Sequence, residues 1–456
     1  MPGEVRTDLR IPFFSTRILE YSVASRLRSA ALLLGLGLPV LLFGILTVRT
    51  VVGEVLGQSG SMSTLNEALA FDSGNPEVLH RKGVFYIYAG PEVDLREGVK
   101  SLRRAAELSP STAVYWLDLG AACDSMGDAL CADDAFEHAQ ADNPMTPRSQ
   151  WMIANHYVLT GRDEAAWPVF RRLLDMSPTY AFPTFRLCLR LDSDPKVVYD
   201  KVVASLKDTN VRVAYVSFLA GTGSLDDAYR VWREMAPSLS PYDFSLSGPF
   251  LQSLIDQKRF EEAYAVWLDL GHLGVIPDFA SQDSKSLVFN GGFERRPLNA
   301  GFDWRYRPAP YLSADFADSA AYRGAKCLRL DFTAARNEEF LPVSQIIPVS
   351  PGQHYRLTAY VRSLGITSDS GPRLRITDLG CPECPGLSTD AVVGTTDWHE
   401  VSLDFAAGPQ SKAVLLEVWR PRGRVFPMEI TGNFWLDEVA VTSLDAPGTK
   451  TERTGN

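Results

Sequence analysis

Side chains that could attack, ligate metal or move protons are few, and hardly any are grouped. Two cysteine pairs stand close: Cys123 with Cys131, and Cys381 with Cys384. A Cys-x-x-Cys serves as a redox couple, as half of a zinc site or as a local disulfide. Cys381-Pro-Glu-Cys384-Pro lacks a second such pair, a nearby histidine pair and the βαβ setting of a redox fold. A loop-stapling disulfide is the expectation, with unpaired thiols and redox chemistry as alternatives. None of the six histidines forms a ligand-like pair, so His80 and His156 read as ordinary helix residues. No Gly-rich phosphate loop, H-E-x-x-H, G-x-S-x-G or dinucleotide fingerprint occurs. Nothing singles out two carboxylates at a glycosidase-like separation. The expectation is binding rather than turnover, with no catalytic residue and no required cofactor.

At 456 residues the chain suits two or three domains. Its 45% hydrophobic and 22% charged residues are ordinary for a globular protein, so disorder is not the default. A net charge of −10, with no basic patch to neutralise phosphates, argues against a nucleic-acid partner.

From Ala30 to Val48 there is no charged residue, a length that matches a hydrocarbon core of about 30 Å. Pro39 is tolerated in a transmembrane helix. A cleaved signal peptide is the competing reading, but residues 1–29 are long for an n-region, Arg49 follows directly and no A-x-A site is near. The expectation is an uncleaved span over 30–52. Arg6, Arg10, Arg17, Arg26 and Arg28 precede it and Arg49 alone closely follows, which puts segment 1–29 in the cytoplasm and the rest outside. An exported domain is compatible with disulfides at both cysteine pairs.

Pro76, Pro110, Pro144 and Pro178 recur every 34 residues, the period of a two-helix unit. Within one unit come Trp116, Leu119, Gly120, Ala132, Phe136, Ala139 and Pro144, with Gly127 at the turn. Gly120 and Ala132 would let the helices approach, while Trp116 and Phe136 fill the space between units. The pattern resembles the tetratricopeptide repeat. It persists in Ala154, Tyr157, Gly161, Ala166 and Phe170, and weakly in Gly223, Ala228 and Trp232, then Ala263 and Trp267. The first unit keeps Leu79, Gly83, Tyr86, Leu102 and Ala105, with a longer loop at Pro91 to Val93. About six units are expected over 60–275. The resemblance implies a superhelix whose first helices line a groove for a peptide or partner helix. His80, Trp151 and Asn155 are placed toward it, with Trp151 as a core residue the alternative.

From about residue 286 alternation replaces helical spacing: Leu328, Leu330, Phe332; Tyr355, Leu357, Ala359, Val361; Val401, Leu403, Phe405. Eight or so strands over 286–444 suggest an antiparallel sandwich. The stretches Leu287-Val-Phe-Asn290-Gly-Gly-Phe-Glu294, Trp304, Ser344-Gln345 to Pro351-Gly352, and Phe434-Trp-Leu-Asp437-Glu438 resemble the galactose-binding-like jelly roll that includes many carbohydrate-binding modules. The resemblance implies a structural calcium with Glu294 and Asp437 among its ligands. Hydrogen bonding at strand ends is the alternative for both. Opposite the apolar face of strand 355–362 stand Arg356, Thr358, Tyr360 and Arg362. Glycan contacts are expected at Tyr360, Arg362, Trp419 and Arg420, and in the loop bearing Tyr306 and Tyr311; packing is the alternative for each.

The expected chain is multidomain: a single N-terminal transmembrane helix, an α-solenoid of tetratricopeptide-like repeats, an all-β jelly-roll sandwich and a disordered tail at 445–456. Such an architecture suits a scaffold on the outer face of a bacterial inner membrane, single-pass, with its bulk periplasmic or extracellular. It would grip a protein partner in the groove and touch polysaccharide with the sandwich, in surface-polysaccharide assembly or export. The alternative is a general envelope-assembly scaffold whose sandwich binds protein or is structural.

Overall fold

The computed structural model describes residues 26–57, 61–90, 93–142, 146–277, 285–333 and 337–444. Pro144, nearly all of the Pro91 to Val93 loop, most of segment 1–29 and the tail 445–456 lie outside the described residues. Two units divide at residue 161.

The first unit opens with α1 (Arg26–Gly57), which contains Leu34–Val52, 19 residues apolar enough to cross a bilayer and unburied by the protein. Its length and composition fit a membrane anchor and equally a signal sequence. The helix extends beyond the expected span 30–52 at both ends. Then follow α2 (Met62–Phe71), α3 (Pro76–Val84), α4 (Leu95–Leu108), α5 (Ala113–Met126), α6 (Ala129–Asp142) and α7 (Pro147–Leu159). Pro76 takes the first position of α3, where its missing N–H costs nothing, and Asn75 caps Val78 N. Gly127 closes α5 at φ 74°. A Cβ on Gly120 would stand 2.7 Å from the Phe136 ring, so the two helices meet as the repeat spacing implies. Trp116 donates from Nε1 to the carbonyl of Pro110, 2.8 Å away, which ties repeat tryptophan to repeat proline. A disulfide joins Cys123 on α5 to Cys131 on α6.

The second unit continues in helices: α8 (Asp163–Met176), α9 (Ala181–Leu191), α10 (Pro195–Val198), α11 (Thr209–Gly221), α12 (Leu225–Met235), α13 (Gly248–Asp256) and α14 (Phe260–His272). Trp232 of α12 is fully buried and donates from Nε1 to Asp269 of α14, 2.9 Å away.

Ten strands complete this unit: β1 (Arg305–Tyr306), β2 (Leu312–Asp318), β3 (Cys327–Thr333), β4 (Phe340–Pro348), β5 (His354–Ile366), β6 (Arg373–Asp378), β7 (Leu387–Ser388), β8 (Gly394–Ala406), β9 (Ala413–Arg420) and β10 (Thr431–Ser443). One sheet runs β1-β4-β9-β6-β7 and the other β2-β3-β10-β5-β8, with antiparallel pairing throughout. The core between them gathers the alternating residues of the sequence, Leu328, Leu330, Leu357, Val361 and Phe405 among them. Trp304 lies at its heart, stacked on Phe293 at 5.0 Å.

The sandwich packs directly on the last helix pair. Trp267 of α14 meets Phe289 edge-on at 5.3 Å, and a Cβ on Gly301 would fall 2.3 Å from its ring. Arg305 donates from Nη2 to Gln252 of α13 at 3.1 Å, and Lys412 pairs with Glu261 at 2.5 Å.

Candidate glycan-binding face and partner groove

Successive strand residues point to opposite faces, so core packing by Tyr355, Leu357, Ala359 and Val361 turns Tyr360 and Arg362 of β5 outward. Neighbouring β10 and β8 supply Trp435 and Trp398 on the same outer face, since Phe434 and Leu436 face the core. Tyr322, from the loop before β3, stacks on Tyr360 with ring centres 3.7 Å apart and planes 9° off parallel, and lies 5.9 Å from Trp398. Tyr360 donates from its hydroxyl to Glu400 of β8, 3.2 Å away. Its phenol is pushed up to about 12, first by its hydrogen bond with Tyr322, and stays neutral. Arg362 and Arg329 of β3 lie over the Trp435 ring, 5.1 and 5.8 Å from its centre. Trp435 Nε1 is buried and has no acceptor among the described residues, a donor left unpaired at a cost of about 1–3 kcal/mol.

Flat aromatic faces with guanidinium and carboxylate groups beside them are what ring stacking and hydroxyl recognition require. Of the glycan residues expected from sequence, this face holds Tyr360 and Arg362. Trp419 lies on the other sheet, with Arg375 and Arg373 4.6 and 5.5 Å from its ring centre and Glu339 accepting from its Nε1. Tyr306 on β1 belongs to that other sheet too and packs on Phe316 at the core's edge. Arg420 is a correction. One residue beyond Trp419 it must point inward, and it is 1% exposed, spending its donors on Ser370 O, Asn337, Glu338 O, Ser368 and Met428 O. It is a structural pin.

Trp398 was legible as an alternate residue of β8, opposite Val401, Leu403 and Phe405. Trp435 was legible in the same way beside Phe434. Tyr322 had no signal, because its loop has no period.

The two carboxylates expected at calcium meet on one loop. Asp437 Oδ2 accepts the amides of Tyr322 and Arg323 at 2.9 and 3.0 Å, and its Oδ1 accepts that of Glu438. Glu294 Oε1 accepts the amides of Ala325 and Lys326 at 2.7 and 3.2 Å. Amide donors thus reach both oxygens of Asp437 and one oxygen of Glu294. Among the described residues no group of three or more His, Cys, Asp or Glu is placed to hold a metal. As arranged, loop amides hydrogen-bond both carboxylates. Burial pushes Asp437 up to about 6. Cys381 and Cys384 form the expected local disulfide after β6.

In the first unit a polar chain links the first helices of successive repeats. His80 of α3 meets Asp118 of α5 through Nε2 at 2.7 Å, and Arg148 of α7 donates to the other oxygen at 2.5 Å. Tyr115 donates to Glu77 at 2.9 Å, and burial, then Glu77, pushes its phenol up to about 12. Asn155 turns its amide back to the Trp151 carbonyl; Trp151 itself is half-buried rather than core. His156 is 1% exposed and bridges Asp124 and Asp133, a structural tie.

Neither a family model nor a curated protein matches this chain. Among solved structures, the Family 16 Carbohydrate Binding Module-2 matches at 18% identity and TM-score 0.25, covering 34% of this chain and 99% of that one. MamA matches at 17% identity and TM-score 0.29, over 42% of this chain and 95% of that one. The bacteriophage CBA120 tailspike protein 4 enzymatically active domain matches at 14% identity and TM-score 0.26, over 35% of this chain, which spans only 22% of that one. At such values none assigns an activity. The chain combines tetratricopeptide-like helical repeats with an antiparallel β-sandwich.

Proposed function

We propose that this chain is a non-enzymatic, membrane-anchored scaffold that binds glycan on the outer face of the β2-β3-β10-β5-β8 sheet. The observation that carries this reading is the aromatic row Trp398, Tyr322 and Tyr360, with Arg362 and Glu400 beside it and Trp435 buried beneath Arg362 and Arg329. The first helices of the repeats, tied together by the polar chain through His80, Asp118 and Arg148, are the surface assigned to a protein partner. Surface-polysaccharide assembly or export on the outer face of a bacterial inner membrane is the setting that joins such a pair of ligands. The raised carboxylates support binding over turnover: Asp437 and Asp303 are fully or almost fully buried and occupied by backbone amides.

A second reading makes the sandwich a structural end-cap in a general envelope scaffold. The packing of Trp267 against Phe289 and Gly301 favours it. Affinity electrophoresis of the intact chain in detergent, against acidic and neutral polysaccharides, separates the two. The glycan reading expects retardation by one class, lost in Tyr322→Ala; the end-cap reading expects none by any.

A further inference from the structure

The sandwich is held to α14 at one end and presents a different chemistry at the other. β5 starts beside α14, where Tyr355 and Pro351 line a cavity with Phe260 and Tyr264. It ends 13 residues on, at Ile366, or roughly 40 Å away at 3.3 Å per residue. β9 likewise runs from Ala413, next to the α14-paired Lys412, to Arg420.

At that far end residues 421–430 form a loop with an apolar tip. Phe426 is 84% exposed, Val425 62% and Met428 40%. Leu364 of β5, 51% exposed, pairs with Asn433 of β10, just past the loop. Such exposure in a slack loop would mean little, but this base is fixed. Buried Arg420 donates from Nη2 to the Met428 carbonyl at 2.6 Å, while its Nη1 donates to Asn337. Asn337 in turn accepts the Gly423 amide and donates to its carbonyl, and Asp369 accepts the amides of Arg424 and Val425. The pins hold the backbone on both sides of Phe426 and leave its ring outward. Arg422 and Arg424 are exposed and make no ion pair among the described residues; Glu429 is the loop's only acid.

We propose that this loop is a contact for an anionic bilayer surface, with Val425, Phe426 and Met428 entering the headgroup boundary and Arg422 and Arg424 pairing with headgroup phosphates. A Val-Phe-Pro-Met tip flanked by two arginines joins an apolar wedge to positive charge, the combination an anionic interface takes up. The proposal rests on the anchored reading of the 19-residue apolar stretch Leu34–Val52, which would keep the chain at a bilayer. The proposal is independent of glycan binding on the sheet face.

The test places a polarity-sensitive fluorophore at Phe426→Cys, and for comparison at Gln410→Cys, an exposed site in the β8–β9 loop beside Lys412. The intact chain is reconstituted into phosphatidylglycerol/phosphatidylethanolamine vesicles and, separately, into phosphatidylcholine vesicles. The expected result is a blue shift with about twofold higher emission at 426 in the anionic vesicles. That gain should be reversed in Arg422→Glu/Arg424→Glu and absent at 410. An equal signal in both lipids, a signal unaltered by the arginine changes, or a shift produced by soluble polysaccharide instead of lipid overturns the proposal.

Discussion

Asp437 accepts the backbone amide of Tyr322 at 2.9 Å, and that bond sets the Tyr322 ring flat on Tyr360, 3.7 Å away. A fully buried carboxylate on β10 therefore positions an exposed aromatic on a loop more than a hundred residues earlier in the chain.

Asp437→Ala should act on both stability and the aromatic face. It leaves the amides of Tyr322 and Arg323 without their acceptor, a loss of about 1–3 kcal/mol in the sandwich. Near-ultraviolet circular dichroism should lose the signal of the Tyr322–Tyr360 stack while the far-ultraviolet spectrum stays. An intact near-ultraviolet spectrum would mean that the loop is held by other contacts.

Asp437 and Asp303 both titrate at about 6, raised chiefly by burial. In the folded state they bind protons more tightly than in the unfolded chain. Their contribution to stability is present at about pH 4 and is lost as pH rises to about 6. Asp404, held low by Arg356, works in the opposite sense and mainly below that window. The melting advantage of the parent chain over Asp303→Asn should shrink between about pH 4.5 and 7, then level off. An advantage that grows with pH would contradict the assignment.

Calcium should not be needed at Glu294 and Asp437, because loop amides already hydrogen-bond both carboxylates. Chelator, or excess calcium, should move the melting temperature by less than about 1 °C, where binding well above Kd would raise stability by about 3 kcal/mol. A clear calcium-dependent rise would show that the amides yield to the ion.

Gly301 sits at φ +57° with the Trp267 ring where its Cβ would be. Gly301→Ala should cost roughly 1–3 kcal/mol through overpacking and backbone strain. The sandwich should then melt apart from the helices, giving two calorimetric transitions. A single unshifted transition would show that the interface couples little.

Much of this was legible in the sequence because it rests on periodicity. The 34-residue spacing located the helix start at Pro76 and the turn into α9 at Pro178, and the close approach at Gly120 followed from its size, whereas Phe136, expected between units, lies against Gly120 itself. Alternation placed Tyr360 and Arg362 on the outer face. The same rule, applied one residue further along β9, would have turned Arg420 inward; its charge suggested a surface, but a ring of backbone carbonyls and side chains repays its burial. That Trp419 and Tyr306 occupy a different sheet from Tyr360 depends on strand order, which local spacing does not encode. Tyr322 reaches the site through a hydrogen bond across 115 residues, beyond any local pattern.

The central claim, glycan on the β5 face and not on the β9 face, is tested most directly by comparing two tryptophans. Dissociation constants for the retarding polysaccharide should weaken roughly tenfold in Trp398→Ala and stay unchanged in Trp419→Ala. The reverse, with Trp419→Ala abolishing binding and Trp398→Ala leaving it intact, would move the site to the other sheet and contradict the account.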